Sequence, residues 1–124
     1  MTKMREAVDF RRGDILWIHC EPSVGVEPRK LRTCVVVSND IANRFGQAVT
    51  VVPTQVYTAE RAARAYMVDL RRPRSNLNTG RVANASMIMT YDRRRLVKHG
   101  GRISAPTQQA LDEALRLHLG LSTL

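Results

Sequence analysis

Cysteine occurs only twice in this sequence, at Cys20 and Cys34, and histidine three times, at His19, His99 and His118. Two cysteines in strand-like stretches do not make a disulfide scaffold. They read as small buried hydrophobes of a reducing compartment. No metal site is expected either. His19 and Cys20 are neighbours on a strand and point to opposite faces, and no other cysteine–histidine spacing resembles a zinc pattern. No apolar run approaches the roughly 20 residues that cross a bilayer. Residues 1–6, Met-Thr-Lys-Met-Arg-Glu, lack the apolar stretch of a secretory signal. The expectation is a cytoplasmic protein without a membrane role. Linkers and internal repeats are missing too, which leaves one domain over residues 1–124.

Acidic residues are also few, 11 against 20 lysines and arginines, so the net charge is +9. A small domain this basic repels itself and associates with polyanions. Nucleic acid heads the list of partners, followed by an acidic protein inhibitor. Hydrophobic residues at 44% and charged residues at 25% make an ordinary globular balance.

Residues 14–20 read as a first strand, rich in β-forming side chains. Glu21-Pro22-Ser23-Val24-Gly25 breaks it, and a basic loop runs on to Arg32. The run Cys34-Val35-Val36-Val37 lacks alternation, which predicts a strand covered on both faces. Ser38, Asn39 and Asp40 offer caps for a helical turn over residues 41–45, ended by Gly46. Residues 48–52 form a third strand closed by Pro53, residues 66–70 a fourth, and residues 82–89 a fifth. Residues 71–80 are basic loop, residues 91–97 one or two helical turns, and His99-Gly100-Gly101 a flexible connection. Ser104 caps a last helix that tolerates Pro106 in its first turn. Its stripe of Leu111, Ala114, Leu115 and His118, flanked by Ala110, Leu117 and Leu121, should face the sheet, with Asp112, Glu113 and Arg116 outward. Short strands with one terminal helix give a mostly β fold, a small twisted barrel or half-barrel.

A nuclease without a metal must activate a hydroxyl, stabilise charge on the phosphoryl group and protonate the leaving oxygen. Nothing in the spacing brings two histidines together for this work. Arginines are plentiful instead. Residues 27–32, Glu-Pro-Arg-Lys-Leu-Arg, carry three cations and one carboxylate, and a guanidinium fork fits a phosphate. The plainer alternative is a solvated loop in which Glu27 pairs with a neighbouring cation. Arg29, Lys30, Arg71, Arg72 and Arg74 are loop cations able to track a phosphate backbone. Asn76 and Asn78, in the same loop as the last three, could read base edges.

Arg12-Gly13-Asp14 before an apolar strand, then Glu21-Pro22, Gly25-Val26-Glu27 and Arg32 before a valine run, resemble the MazF/PemK toxin family. The likeness continues through residues 35–40, Val51-Val52-Pro53, residues 90–96 and Asp112-Glu113-Ala114-Leu115, and so covers about residues 11–121. It implies an SH3-like, CcdB/MazF-type barrel with a C-terminal helix, a homodimer without cofactors, and an endoribonuclease toxin. Such an enzyme makes sequence-specific cuts in single-stranded RNA, leaving 2′,3′-cyclic phosphate and 5′-hydroxyl ends. The resemblance also implies a cognate antitoxin, whose acidic character would suit the +9 charge. The family's catalytic arginine falls on Arg32 and the acid of its Gly-x-Glu loop on Glu27.

Three positions depart from the family pattern. The catalytic threonine normally stands two residues after the strand proline, where this chain has Gln55; Thr54, next to Pro53, is taken as its equivalent. Thr33 replaces the proline that follows the arginine. Ser86-Met87 stand where many members carry an acid and glutamine, which leaves the general base unassigned. Two other readings are a non-catalytic RNA-binding module and an inhibitor of a protein target like CcdB. CcdB-like chains end in Trp-Gly-Ile, unlike the Gly120-Leu121-Ser122-Thr123-Leu124 of this one.

Overall fold

The computed structural model describes residues 9–122, so residues 1–6, read above for a signal, lie outside them. The elements in chain order are β1 (Asp14–His19), β2 (Leu31–Val36), α1 (Asp40–Phe45), β3 (Ala48–Val56), α2 (Ala59–Ala62), β4 (Met67–Asp69), β5 (Arg81–Asn84), β6 (Met89–Asp92), β7 (Leu96–Arg102) and α3 (Ala105–His118). All the strands pair antiparallel, in the order β4-β5-β3-β2-β1-β7, with β6 also on β3. The sheet curls until the loop after β4 meets the end of β7 through one bridge, Ser75 with Ile103. This is the mostly β half-barrel with a terminal helix that the sequence predicted.

The valine run of β2 is covered on both faces. Val35 and Val37 join Ile15, Val52, Leu70, Leu111 and Leu115 in a core beneath α3. Cys34 and Val36 join Leu16, Ile18, Cys20, Val49, Val51 and Tyr91 in a second core. Both cysteines are free and buried. The first core is the reason α3 docks. Ser104 accepts from the Thr107 N–H as the helix cap, and burial of Leu111 alone is worth about 1.5–3 kcal/mol.

Several sequence expectations change. Pro53 does not end the third strand; β3 runs on to Val56. Pro53 falls where β3 exchanges β6, paired through Val51, for β5, paired from Thr54, a gap where a missing N–H costs little. The single fifth strand over residues 82–89 is instead β5, a 3-10 turn over Ala85–Met87, and the start of β6. Of the helical turns expected at residues 91–97, only a 3-10 turn at Arg93–Arg95 forms. His99-Gly100-Gly101 is strand rather than flexible connection, because β7 lies along β1 with Gly101 opposite Ile15 and His99 opposite Leu16. On α3, Leu111, Ala114 and Leu115 are buried, whereas Ala110, His118 and Leu121 are exposed.

Asp112 does not simply face solvent. Arg12 grips it with two hydrogen bonds, 2.5 and 3.3 Å, while its Nε donates to the Val37 carbonyl. Gly13 turns the chain with φ +90°, and a Cβ there would lie 2.8 Å from Gln108. The buried Asp14 carboxylate then receives His99 Nε2 at 3.0 Å, Arg102 at 2.5 Å and the Arg11 N–H at 2.8 Å. Burial alone would raise the Asp14 pKa, but these hydrogen bonds outweigh it and hold the carboxyl below its ordinary range. Arg12-Gly13-Asp14 is thus a structural knot that ties β1 to β7 and α3.

Candidate active site

Strand register explains where the site lies. Ile15, Val35 and Val52 are cross-strand partners in the core beneath α3. Two residues further along, on the same face, stand Trp17 and Thr33 as direct partners, with Thr54 next to Thr33. Here α3 no longer covers the sheet. The core row continues as a polar row, and that row floors an open cleft.

The hydroxyls of Thr33 and Thr54 lie 2.6 Å apart, both nearly buried at 4% and 3% exposure. Arg81 Nε donates to Thr54 Oγ1 at 3.0 Å, and its terminal nitrogen donates to the Thr54 carbonyl at 2.9 Å. Two hydroxyls joined by one hydrogen bond use one of their two protons. The pair therefore keeps one O–H to offer a ligand. Two departures from the family pattern, Thr33 for proline and a threonine directly after Pro53, turn out to be partners.

With Thr54 and Arg81, the residues Glu27, Arg29, Arg32, Gln55, Arg61 and Asn84 line a cleft of about 370 Å³. Burial lowers the Arg81 pKa, helped by the like charges of Arg32 and Arg61. Such mutual repulsion is relieved by an anion. Glu27 is the one carboxylate among the cleft's lining residues; it accepts from the Val24 N–H at 2.8 Å, which fixes the turn that carries it. Gln55 accepts from the Asn84 side chain at 3.2 Å.

The structure thus gathers Glu27, Arg29, Arg32, Thr54 and Gln55 in one place. Asn76 and Asn78 line an adjoining cleft that shares Arg32 and Arg81 as a wall. The remaining loop cations are placed differently. Lys30 is exposed in a left-handed turn, φ 60°. Arg71 and Arg74 both pair with Asp69, at 2.8 and 3.4 Å, and Arg71 also lies over the Tyr57 ring at 3.7 Å. Arg72 binds Asn78 Oδ1 at 2.7 Å and so braces its own loop. Arg81, Thr33, Arg61 and Asn84 were missed in the sequence. The strand register, which puts Thr54 opposite Ala83 and Val56 opposite Arg81, could have recruited Arg81 and Asn84; Arg61 stands on α2 and carries no such signal.

Comparison with known proteins places the fold and the family. A model of the PemK-like, MazF-like toxin of type II toxin–antitoxin systems matches residues 11–119. The endoribonuclease MazF9 of Mycobacterium tuberculosis is 39% identical over 117 residues, covering 90% of this chain and 98% of its own length. Endoribonuclease EndoA of Bacillus subtilis is 28% identical over 113 residues, covering 90% and 95%. Among solved structures, MazF of Deinococcus radiodurans superposes with a TM-score of 0.78 at 19% identity, covering 91% of this chain and 98% of that one. A mycobacterial endoribonuclease in complex with its cognate antitoxin gives 0.73 at 23%, covering 92% and 98%. With a family model spanning most of its length and a curated relative at 39% identity, the chain belongs to the PemK-like, MazF-like family of endoribonuclease toxins of type II toxin–antitoxin systems.

Proposed function

We propose that this toxin cuts single-stranded RNA at specific sequences without a metal ion, by attack of a 2′-hydroxyl on the adjacent phosphodiester. The observation that carries the reading is the convergence of Arg32, Arg81 and Thr54 in one cleft, with the Thr54 hydroxyl paired to that of Thr33 in the cleft's neighbour. The chemistry is assigned to these groups and to Glu27, the carboxylate that lines the same cleft. The scissile phosphoryl group sits between the two guanidiniums, which meet the charge that builds on its oxygens. Glu27 takes the proton from the attacking 2′-oxygen as that oxygen bonds to phosphorus. The spare O–H of the threonine pair hydrogen-bonds the 5′-oxygen as its bond to phosphorus breaks, and solvent supplies the proton. The products carry 2′,3′-cyclic phosphate and 5′-hydroxyl ends.

Arg29, Gln55, Asn76 and Asn78 line the path on which flanking nucleotides lie, with Lys30 and Arg72 at its rim, while Arg71 and Arg74, expected from the sequence to track the backbone, are engaged by Asp69 instead. In the same reading the toxin works in the cytoplasm as a homodimer. It is silenced by an acidic antitoxin segment that enters this cationic cleft. The test is cleavage of single-stranded RNA in excess chelator by wild type and Arg32→Ala, with a DNA copy as control and mass spectrometry of the ends. Discrete cuts with cyclic phosphate, absent in the variant and on DNA, are expected. RNA binding with no cleavage by wild type across varied sequences would overturn the reading and leave a binding module.

A further inference from the structure

Beside the candidate catalytic cleft lies a second one, also of about 370 Å³, between the end of β1, on the face that carries Ile15, and the 76–79 segment of the long loop. The two share Arg32 and Arg81. The floor of the second is Trp17, the single tryptophan of the chain. Trp17 is the cross-strand partner of Thr33 on one side and of Lys98 on the other. One strand spacing, about 4.8 Å, therefore separates the backbone of the indole's residue from that of Thr33, and a second one separates Thr33 from Thr54.

The indole is half-buried rather than sunk in either core. Gly100 is skipped in the pairing of β7 with β1 and passes close to the ring. A Cβ on Gly100 would come within 3.1 Å of Trp17 Cδ1 and Nε1, so the glycine lets β7 run past without displacing the indole. Lys98 Nζ stands 5.7 Å from the ring centroid, within cation–π range.

The opposite wall is fixed in orientation. Asn76 Oδ1 accepts the Arg102 N–H at 2.8 Å, and Asn78 Oδ1 accepts from Arg72 at 2.7 Å. With both carbonyl oxygens engaged, each amide has its NH2 group left to give, and neither NH2 group has a hydrogen-bond partner among the described residues. An aromatic face, a cation and two amide donors beside a phosphate-binding pair of arginines match one ligand class.

We propose that Trp17 and Lys98, with Asn76 and Asn78 opposite, seat the base of the nucleotide next to the scissile phosphate of single-stranded RNA. The base stacks on the indole, the amides meet its carbonyl or ring-nitrogen acceptors, and Lys98 meets the neighbouring phosphate. The assignment rests on the ribonuclease reading, and its test separates the two. Once a cut is mapped in a mixed-sequence RNA, an oligonucleotide spanning it is made with a 2′-deoxy sugar at the attacking position, so that it binds without being cut. Fluorescence of wild type is then titrated with this RNA and with copies lacking the base on either side of the cut.

The intact RNA quenches the single tryptophan. One of the two abasic copies binds about ten-fold more weakly, the scale of one lost stack, and no longer quenches. Trp17→Phe cleaves with KM within about three-fold of wild type, whereas Trp17→Leu, checked for folding by its thermal midpoint, raises KM about ten-fold with kcat little changed. Tight binding without quenching, or equal binding of both abasic copies, overturns the subsite while leaving the ribonuclease intact. Absence of any RNA binding overturns both.

Discussion

Arg71 and Arg74 share the carboxylate of Asp69, and Arg71 also rests on Tyr57. Arg32, Arg61 and Arg81, on the other side of the long loop, make no ion pair among the described residues, and burial together with the like charges of Arg32 and Arg61 lowers the Arg81 pKa. By composition the two groups are alike. By surroundings one is a neutralised brace and the other an unneutralised socket. Charge counted along a chain says how many cations there are; only the fold says which of them still lack a counter-charge, and those are the ones proposed above to meet the RNA.

That contrast can be broken most directly by removing cations from each group. Arg81→Met takes a guanidinium from the socket and should cut kcat by about 10²- to 10³-fold, the scale for a lost donor to a developing oxyanion. The double change Arg71→Ala with Arg74→Ala should leave cleavage within about three-fold, measured on the same RNA. A large loss in the double variant would erase the distinction. The next effect is on stability. Asp112→Ala strips the partner from Arg12, a partly buried pair, and should cost about 1–3 kcal/mol, read as a lower urea midpoint with activity per folded molecule unchanged.

Thr33→Val removes one hydroxyl of the pair and should lower kcat by about ten-fold, with Thr33→Ser restoring most of it in the same assay. The smallest effect concerns acid. Folded Asp14 holds its proton less tightly than the ordinary carboxyl at 3.8. Its stabilisation is therefore complete above that value and fades as pH falls through it and below. Urea midpoints should drop between pH 5 and pH 3, and Asp14→Asn should start lower and fall less over that span.

Local signals served the sequence reading well where the structure is local. Ser104 capping α3, Asn39 capping α1 and the doubly covered β2 all follow from residues within a few positions of one another. The reading missed where distant pairing overrides local preference. His99-Gly100-Gly101 has the composition of a flexible link, but the β1 edge recruits it into β7. Pro53 marks a strand end by itself, yet at a change of neighbours it costs β3 nothing it needed. Arg32, Glu27 and Thr54 were legible from the family likeness. Arg81 was not, since the end of a basic loop announces no partner 27 positions away.

In the sheet, β1 lies between β2 and β7, and Arg12 holds Asp112 across 100 positions. The first strand to leave the ribosome therefore waits for the last one before its outer edge is filled. The knot that fixes it closes only when the final helix has been made. Trp17 and Thr33 can meet early, but Lys98 and Gly100 reach them late. The strand that carries Trp17 is therefore held on both edges and tied down only once β7 and α3 have been made.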